Sequence, residues 1–237
     1  MRIERKYLVS QALAEILKQR MGFMAQPDPH GLLGSYSVFT TYYDSTQRHL
    51  ATEKLDGNYA HLKLRRRSYL TQGAPISFTE AKIKCDQRQF KIRYPSDGGF
   101  WVFEDVEILS TCGWPGLARG GFVASVTPAC HVRFERAAFS IPGTGVRFNF
   151  DSNLQALFPN EALDLSQAPE GCSVIPGRVV FEIKSSDWEL PEWVERELKG
   201  LVGGAVTFSK YIEALNALES LKGDHHGVES AGQPLHG

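Results

Sequence analysis

The sequence has little cysteine and no closely spaced cysteine pair. Its four cysteines are Cys85, Cys112, Cys130 and Cys172. Zinc knuckles need cysteines a few residues apart, and small disulfide scaffolds need a much higher cysteine content, so both classes are excluded. We therefore expect four separate thiols, most of them buried.

Long apolar runs are also missing. The longest uncharged apolar stretches, such as residues 120–130, fall short of the roughly 18 residues that a membrane-spanning helix needs. The first six residues carry four charges, which is unlike a secretory signal. The sequence predicts no transmembrane segment and a cytoplasmic location, and it leaves open a membrane partner that receives a product.

Neither sign of charge is in excess. Lys and Arg number 26 and Asp and Glu 27, for a formal net charge of -1, which argues against a globally basic nucleic-acid binder. The chain contains no Gly-x-x-x-x-Gly-Lys loop, no Gly-x-Gly-x-x-Gly fingerprint and no convincing Ser-His-Asp or Cys-His constellation. The usual nucleotide-binding folds and nucleophilic hydrolases are therefore disfavoured.

Short segments that alternate apolar and charged residues are what the sequence has in abundance. Such alternation predicts strands with one buried face. Amphipathic helices are expected at residues 11–24 after Ser10, from Pro191 to about Gly203, and after Thr207 or Ser209. We predict one domain over residues 1–222 and a disordered tail over 223–237. The expected strands are 2–9, 36–44, 59–68, 77–84, 88–94, 130–141, 146–151 and 178–185.

Alternation sorts the charges onto one face of these strands, because residues two apart point the same way. Lys63, Arg65 and Arg67 share one face, and Leu62 and Leu64 share the other. The charged faces together hold twelve basic residues and four acidic ones in a chain of net charge -1. The basic residues are Arg2, Lys6, Lys63, Arg65, Arg67, Lys82, Lys84, Lys91, Arg93, Arg136, Arg147 and Lys184, and the acidic ones are Glu4, Glu80, Asp151 and Glu182.

These faces are either the solvent side of an ordinary antiparallel sheet or the lining of an enclosed space. Successive like charges on a strand are destabilising unless an anion offsets them, which favours the second reading. The opposite faces are apolar enough to need covering helices. We therefore predict an α+β fold in which a closed eight-stranded antiparallel β-barrel has its helices packed outside and a polar lumen.

A lumen of this composition indicates a polyanionic ligand, most simply a chain of phosphates. Arginine offers phosphate a planar fork of donors, lysine offers a point charge, and remaining carboxylates can hold a divalent metal. Nucleic acid fits less well, because aromatic residues for base stacking are not interleaved with the basic positions.

Eight short motifs run in order through residues 2–211 of the chain. They are Arg-Ile-Glu-Arg-Lys-Tyr at 2–7, Tyr-Tyr-Asp-Ser at 42–45, Lys-Leu-Arg-Arg-Arg-Ser-Tyr at 63–69, Phe-Thr-Glu-Ala-Lys at 78–82, Phe-Glu-Arg-Ala-Ala-Phe at 134–139, Arg-Phe-Asn-Phe-Asp at 147–151, Phe-Glu-Ile-Lys at 181–184 and Ser-Lys-Tyr at 209–211. In these motifs the chain resembles the VTC (vacuolar transporter chaperone) domain, the polyphosphate polymerase branch of the CYTH-like triphosphate tunnel metalloenzymes. The fold of that family is a closed eight-stranded tunnel.

The resemblance implies roles for particular side chains. It implies that Lys6 and Lys63 contact phosphate, that Ser209 assists unless it is only a helix N-cap, and that Glu182 holds Mn²⁺ or Mg²⁺. Glu4, Glu80 and Asp151 are either further metal ligands or ion-pair partners of lumen arginines. The catalytic phosphate contacts it implies are Arg65, Arg67, Lys82, Arg136 and Lys210. Arg2, Lys84, Lys91, Arg147 and Lys184 are added as phosphate-binding candidates because they share the charged faces.

The implied activity is transfer of the γ-phosphoryl group of ATP to a polyphosphate chain. Hydrolytic tunnel enzymes typically begin with Glu-x-Glu-x-Lys, and here Arg2 replaces the first glutamate, which favours the polymerase. Two alternatives stay open: a metal-dependent triphosphatase acting on triphosphate or a nucleoside triphosphate, and a polyphosphate-binding module without turnover.

Overall fold

The computed structural model describes residues 3–58, 60–71, 75–85, 88–95, 126–159, 171–201 and 203–229. All eight predicted strands are present in this part of the chain, together with two strands of two residues each. The strands are β1 (Ile3–Ser10), β2 (Gln26–Pro27), β3 (Ser35–Asp44), β4 (Ala60–Leu70), β5 (Ile76–Cys85), β6 (Arg88–Pro95), β7 (Thr127–Ser140), β8 (Arg147–Leu157), β9 (Cys172–Ser173) and β10 (Arg178–Ser185). The helices are α1 (Gln11–Gly22), α2 (His49–Leu55), α3 (Glu192–Leu201) and α4 (Lys210–Glu229).

The strands form one antiparallel sheet of ten strands, in the order β1-β10-β8-β7-β3-β4-β5-β6, with β2 beside β7 and β9 beside β8. The prediction of a closed eight-stranded barrel was wrong, because no pairing within the described ranges joins β1 to β6. A backbone hydrogen bond explains part of this opening: the N–H of Val206 donates to the carbonyl oxygen of Lys6 over 2.8 Å. The segment before α4 thus takes an acceptor on β1 that a closing strand would need.

The register of the sheet confirms the sorting of charges by alternation. Lys63 lies opposite Lys82, and Arg65 lies opposite Glu80. Directly opposed residues in antiparallel strands point to the same face, so these pairs carry one charged face from strand to strand.

The outer face of the sheet is apolar and is covered by helices. At the start of α1 the Ser10 hydroxyl accepts a hydrogen bond from the N–H of Leu13 at 3.2 Å, as the sequence predicts. Leu17 of α1 and Val194 of α3 pack with Phe148 and Phe181 from β8 and β10, all fully buried. Each such side chain contributes roughly 1.5–3 kcal/mol by leaving water.

Helix α4 departs from the prediction that the helices pack outside. Its residues Ile212 and Leu215 join a buried cluster with Val132 and Phe134 of β7. Phe134 shares its face with Arg136, two residues on, so α4 packs on the same face of the sheet as the charges. The helix therefore covers part of the charged face and brings its first residue, Lys210, into the charged region.

Helix α2 was not predicted from the sequence, because its N-cap residue Arg48 has no capping side chain and its first N–H groups are capped from further upstream by Ser45 and Asp44. The carboxylate of Asp44, fully buried at the end of β3, accepts hydrogen bonds from the N–H groups of Leu50 and Ala51 at 2.9 Å and from the Tyr211 hydroxyl at 2.6 Å. The Asp of the Tyr-Tyr-Asp-Ser motif is thus a structural link between β3, α2 and α4.

The remaining predictions about chain organisation have mixed outcomes. Cys130 is buried and Cys172 partly buried, and neither is in a disulfide, whereas Cys112 and the side chain of Cys85 lie outside the described residues. Helix α4 continues to Glu229, so part of the segment expected to be disordered is helical, and residues 230–237 lie outside the described part. None of the described helices has the length and apolarity needed to cross a membrane.

Candidate functional site

The charged face of the sheet lines two neighbouring cavities. One, of about 450 Å³, is called here the arginine-rich cavity, and the other, of about 290 Å³, the lysine-rich cavity. They follow each other along β4: His61 and Lys63 line the lysine-rich cavity, and Arg65, Arg67 and Tyr69 line the arginine-rich one. At about 3.3 Å per residue, this wall of β4 is about 26 Å long.

Glu80 organises one side of the arginine-rich cavity. Its carboxylate is 2.7 Å from Arg65, 2.7 Å from Lys91 and 2.6 Å from Arg93. Burial opposes ionisation of Glu80, but Arg65 and Lys91 outweigh burial and hold the pKa of this carboxyl well below its usual range. One buried anion thus fixes three cations that would otherwise repel each other.

Asp151 does the same on the opposite side of that cavity. Arg136 donates two hydrogen bonds to it, at 2.6 and 2.8 Å, and the Nζ of Lys210 lies 2.6 Å from Oδ2, one of the two oxygens that accept from Arg136. Asp151 is fully buried, and although burial opposes its ionisation, these two cations keep its pKa low. The strand pair β7–β8 and the first residue of α4 therefore meet at a single carboxylate.

Two groups in the arginine-rich cavity keep free donor capacity. Arg67 is buried and donates from Nε to the Thr40 hydroxyl at 3.2 Å, and no carboxylate of the described ranges pairs with it. Asn149 is 1% exposed, and its Nδ2 has no hydrogen-bond partner among the described residues. A buried cation without a counter-charge and a buried donor without a partner are both costly, so both groups favour an anionic ligand.

The lysine-rich cavity is arranged differently, with lysines facing one another. The Nζ of Lys63 donates to the Ser209 hydroxyl at 2.8 Å, so Ser209, which immediately precedes α4, directs its side chain into the cavity. Within the described ranges neither Lys63 nor Lys82 is at ion-pair distance from a carboxylate. Burial, helped by repulsion from Lys6 and Lys82, lowers the pKa of Lys63 to about 7.

His61 of the lysine-rich cavity is close to the same lysines. Burial, together with Lys54 and Lys63, lowers the pKa of His61 to about 4, and its Nδ1 is buried without a hydrogen-bond partner in the described structure. His61 is therefore neutral at pH 7 and adds no charge to the cavity.

Two lysine–glutamate pairs lie where the cavities meet, on adjacent strands β1 and β10. Glu4 lies opposite Lys184, and Lys6 lies opposite Glu182. The Nζ of Lys6 is 2.8 Å from Glu4, and Lys184 pairs with Glu182. Burial opposes ionisation of Glu4, but Lys6 and Lys184 overcome it and lower its pKa to about 2.

The described residues form no cluster of three or more His, Cys, Asp or Glu side chains that could hold a metal ion. Glu4 and Glu182 are near enough to affect each other's ionisation. Mg²⁺ is commonly held by one or two carboxylates together with phosphate oxygens of a substrate. The donor set thus fits a divalent ion shared with a phosphate ligand, and it does not fit a metal held by protein alone.

The structure brings nearly all the predicted site residues to one face. The arginine-rich cavity is also lined by Arg93, Asn149, Asp28 and Tyr36, and of these only Arg93 was among the charged residues that alternation sorted onto one face. Arg2 lies outside the described residues. The predicted residues gathered at the charged face are Lys6, Lys63, Lys82, Lys84, Ser209 and Glu4 around the lysine-rich cavity, Arg65, Arg67, Lys91, Arg136, Arg147 and Lys184 around the arginine-rich cavity, Glu80, Asp151 and Glu182 as ion-pair partners of cavity residues, and Lys210 as the second partner of Asp151.

The family model of the VTC domain matches residues 1–101 and 123–219 of this chain. The chain belongs to the VTC domain family. The match covers every strand and all of the helices except the end of α4, so the whole charged face described above is family sequence. A search of curated proteins finds no significant match.

Solved structures with the same fold include protein PH1819 from Pyrococcus horikoshii OT3. It is 19% identical, with a TM-score of 0.50, over 93% of this chain and 99% of that one. A protein named "putative adenylate cyclase" from Vibrio parahaemolyticus is 15% identical, with a TM-score of 0.46, over 91% of this chain and 98% of its own. At these identities the likeness to PH1819 concerns the fold alone.

Proposed function

We propose that this VTC domain is a phosphotransferase of the polyphosphate polymerase type, which moves the γ-phosphoryl group of ATP to a polyphosphate chain. The observation that carries the proposal is the convergence of cations from β1, β4, β5, β7, β8 and β10 on two adjoining cavities. A long row of guanidinium and ammonium groups suits a linear polyanion better than a single phosphate.

The reaction needs positioning and charge neutralisation more than covalent chemistry. A terminal phosphate oxygen of the acceptor chain attacks the γ-phosphorus of ATP. A bond forms between that oxygen and phosphorus, the bond to the β–γ bridging oxygen breaks, and ADP leaves with the electron pair. The attacking phosphate is already ionised at neutral pH, so no general base is required.

The arginine-rich cavity is suited to hold the reacting phosphates. Arg65 and Arg136 are fixed by Glu80 and Asp151, so their remaining N–H groups are oriented before substrate arrives. Arg67, which has no carboxylate partner in the described ranges, and the unpartnered Nδ2 of Asn149 would donate to non-bridging oxygens. Preorganised donors of this kind stabilise charge that shifts during transfer without a further reorganisation cost.

Glu182, with Glu4, would hold Mn²⁺ or Mg²⁺ together with phosphate oxygens. A bound ion would supply further neutralisation of phosphate charge. Lys6 and Lys184, which now pair with these carboxylates, would then be free to contact phosphate themselves.

The test is to incubate the purified chain with ATP and Mn²⁺ and to analyse polymer, ADP and free phosphate. Polymer with ADP supports the proposal, and ADP with free phosphate but no polymer would show a triphosphatase.

Glu182→Gln should abolish turnover and keep binding of tripolyphosphate. A matched control is Glu197→Gln, which removes a carboxylate paired with Arg20 on the outer surface and should leave turnover unchanged.

A polyphosphate-binding module without turnover is the second candidate. It is favoured by the lack of a three-ligand metal cluster in the described part of the chain. The wild-type chain would then bind tripolyphosphate and convert no ATP under any metal condition.

A further inference from the structure

An aromatic group borders the arginine-rich cavity at the end where β4 stops and β5 starts. The ring of Tyr69 is 5.8 Å from that of Tyr36 and 6.3 Å from that of Phe78, both edge to face. Ile76, beside them, is 43% exposed. All four side chains line the same cavity as the arginines.

The aromatic group continues the charged faces of its strands. Tyr69 follows Arg67 by two residues, and Phe78 precedes Glu80 by two, so each ring points to the same side as its charged neighbour. The guanidinium carbon of Arg93 lies 4.5 Å from the centre of the Phe78 ring, which fixes that ring beside the Glu80 cluster. The cavity therefore has cations along most of its wall and an apolar, aromatic wall at one end.

A ligand made only of phosphate groups would gain little from contact with an apolar, aromatic wall. A nucleotide needs both parts, because its base is flat and apolar on its faces while its phosphates are anionic. The lysine-rich cavity has a weaker candidate: Phe208 lines it but is 6% exposed and packs into the core with α4.

We propose that the wall formed by Tyr69, Phe78 and Ile76 is the subsite for the nucleoside of the donor nucleotide, a proposal that rests on the phosphotransferase function above. The triphosphate then points inward along β4. Arg65, four residues from Tyr69, is about 13 Å further along the strand, and Lys63 about 20 Å. The donor nucleotide thus enters beside the last residues of β4 and the first residues of β5, and the acceptor chain occupies the lysine-rich cavity.

The experiment compares binding of ATP and of inorganic tripolyphosphate by calorimetry, with Mn²⁺ present, for the full chain and four variants. Phe78→Leu removes the aromatic face and keeps an apolar side chain; it should weaken ATP binding about tenfold, within the range of a base–aromatic stack, and leave tripolyphosphate binding unchanged. Phe78→Tyr, which keeps an aromatic ring at this position, should bind ATP about as tightly as the wild-type chain does. Ile76→Ser, at an exposed position that tolerates change, should weaken ATP binding about twofold to threefold with the same selectivity.

Phe208→Leu is the matched control, because it makes the same exchange in the lysine-rich cavity and should not distinguish the two ligands. Equal losses for ATP and tripolyphosphate in Phe78→Leu and Ile76→Ser, or no loss in either, would overturn the subsite. A selective loss of ATP binding in Phe208→Leu would indicate that the nucleoside lies in the lysine-rich cavity, and this result would also overturn the proposed subsite. A wild-type chain that binds neither ligand would instead contradict the proposed function, which separates the two failures.

Discussion

The two cavities use the same kinds of charge in different ways. In the arginine-rich cavity, buried carboxylates hold the cations in place: Glu80 contacts three of them and Asp151 two. In the lysine-rich cavity, Lys63 and Lys82 face other lysines and have no carboxylate at ion-pair distance in the described ranges. The first cavity is preorganised without a ligand, and the second retains a repulsion that an anion would relieve.

The two cavities also differ in how easily their cationic side chains can lose a proton. Arginine stays charged at any physiological pH, whereas a buried lysine can lose its proton. The lowered pKa of Lys63, about 7, shows that the lysine-rich cavity limits its own charge when no ligand is present. Affinity in the lysine-rich cavity should therefore depend more strongly on pH than affinity in the arginine-rich cavity, where Lys184 is accompanied by arginines that stay charged.

The largest expected effect is on stability and concerns Asp151. Asp151→Asn leaves Arg136 and Lys210 buried without a counter-charge, so the free energy of unfolding should fall by about 3–5 kcal/mol. The comparison variant is Glu4→Gln, which removes a partly exposed partner of Lys6 and should cost at most about 1 kcal/mol. Urea unfolding of both variants measures the difference, and similar losses would contradict the contrast between the cavities.

The next effect is on binding of tripolyphosphate. Replacing both Arg65 and Arg67 by alanine should weaken it about 100-fold, because two charge-assisted contacts are lost. Replacing both Lys63 and Lys82 by alanine should weaken binding by only about tenfold when affinity is measured at pH 8, because Lys63 is mostly neutral at that pH. Calorimetry gives both values; a larger loss for the lysine pair would show that the lysine-rich cavity dominates binding.

Binding should also take up protons. The pKa of Lys63 is about 7 and that of Lys184 about 8, and a bound polyanion raises both. Affinity should be highest below pH 7 and should fall as pH rises above it. Calorimetry at pH 7.5 in buffers of different ionisation enthalpy should detect the uptake, and Lys63→Arg should reduce it. Heats that do not depend on the buffer would refute proton uptake.

In the ligand-free protein, the pH dependence of stability that comes from Lys63 runs in the opposite direction to that of affinity. The folded-state pKa of Lys63 lies below its ordinary value of 10.5. The unfolded chain therefore holds more protons between about pH 7 and 10.5, and the contribution of Lys63 to stability rises with pH across that window.

The smallest effect concerns His61, which is neutral at pH 7 because its pKa is about 4. His61→Lys adds a cation to the lysine-rich cavity and should tighten tripolyphosphate binding about twofold, in line with a partly screened charge. The same substitution at His49, on α2 outside both cavity linings, should leave affinity unchanged. Equal tightening by both variants would indicate a general charge effect.

The sequence predicted best what depends on alternation alone. Lys63, Arg65 and Arg67 had to share a face once β4 was a strand, and the motifs placed Arg136 and Lys184 with them. Closure of the sheet was predicted wrongly, because it depends on what occupies the edge of β1, and Val206 there belongs to an irregular segment.

The rest of what was missed depends on contacts that alternation does not show. Helix α2 is capped by the Asp44 carboxylate and the Ser45 hydroxyl, which lie upstream of its N-cap position, Arg48, where no capping side chain marks it in the sequence. The position of α4 follows from the apolar part of the inner face, where Phe134 shares a side with Arg136. Tyr69 and Phe78 lie at the ends of their charged runs, and only the pairing of β4 with β5 brings them together.

A crystal structure of the chain with a linear polyphosphate and Mn²⁺ tests most directly whether the two cavities form one channel. We expect one continuous chain of phosphates that contacts Arg65 and Arg136 in the arginine-rich cavity and Lys63 in the lysine-rich cavity. Phosphate bound on the outer face of the sheet, or confined to one cavity with the other left empty, would contradict it.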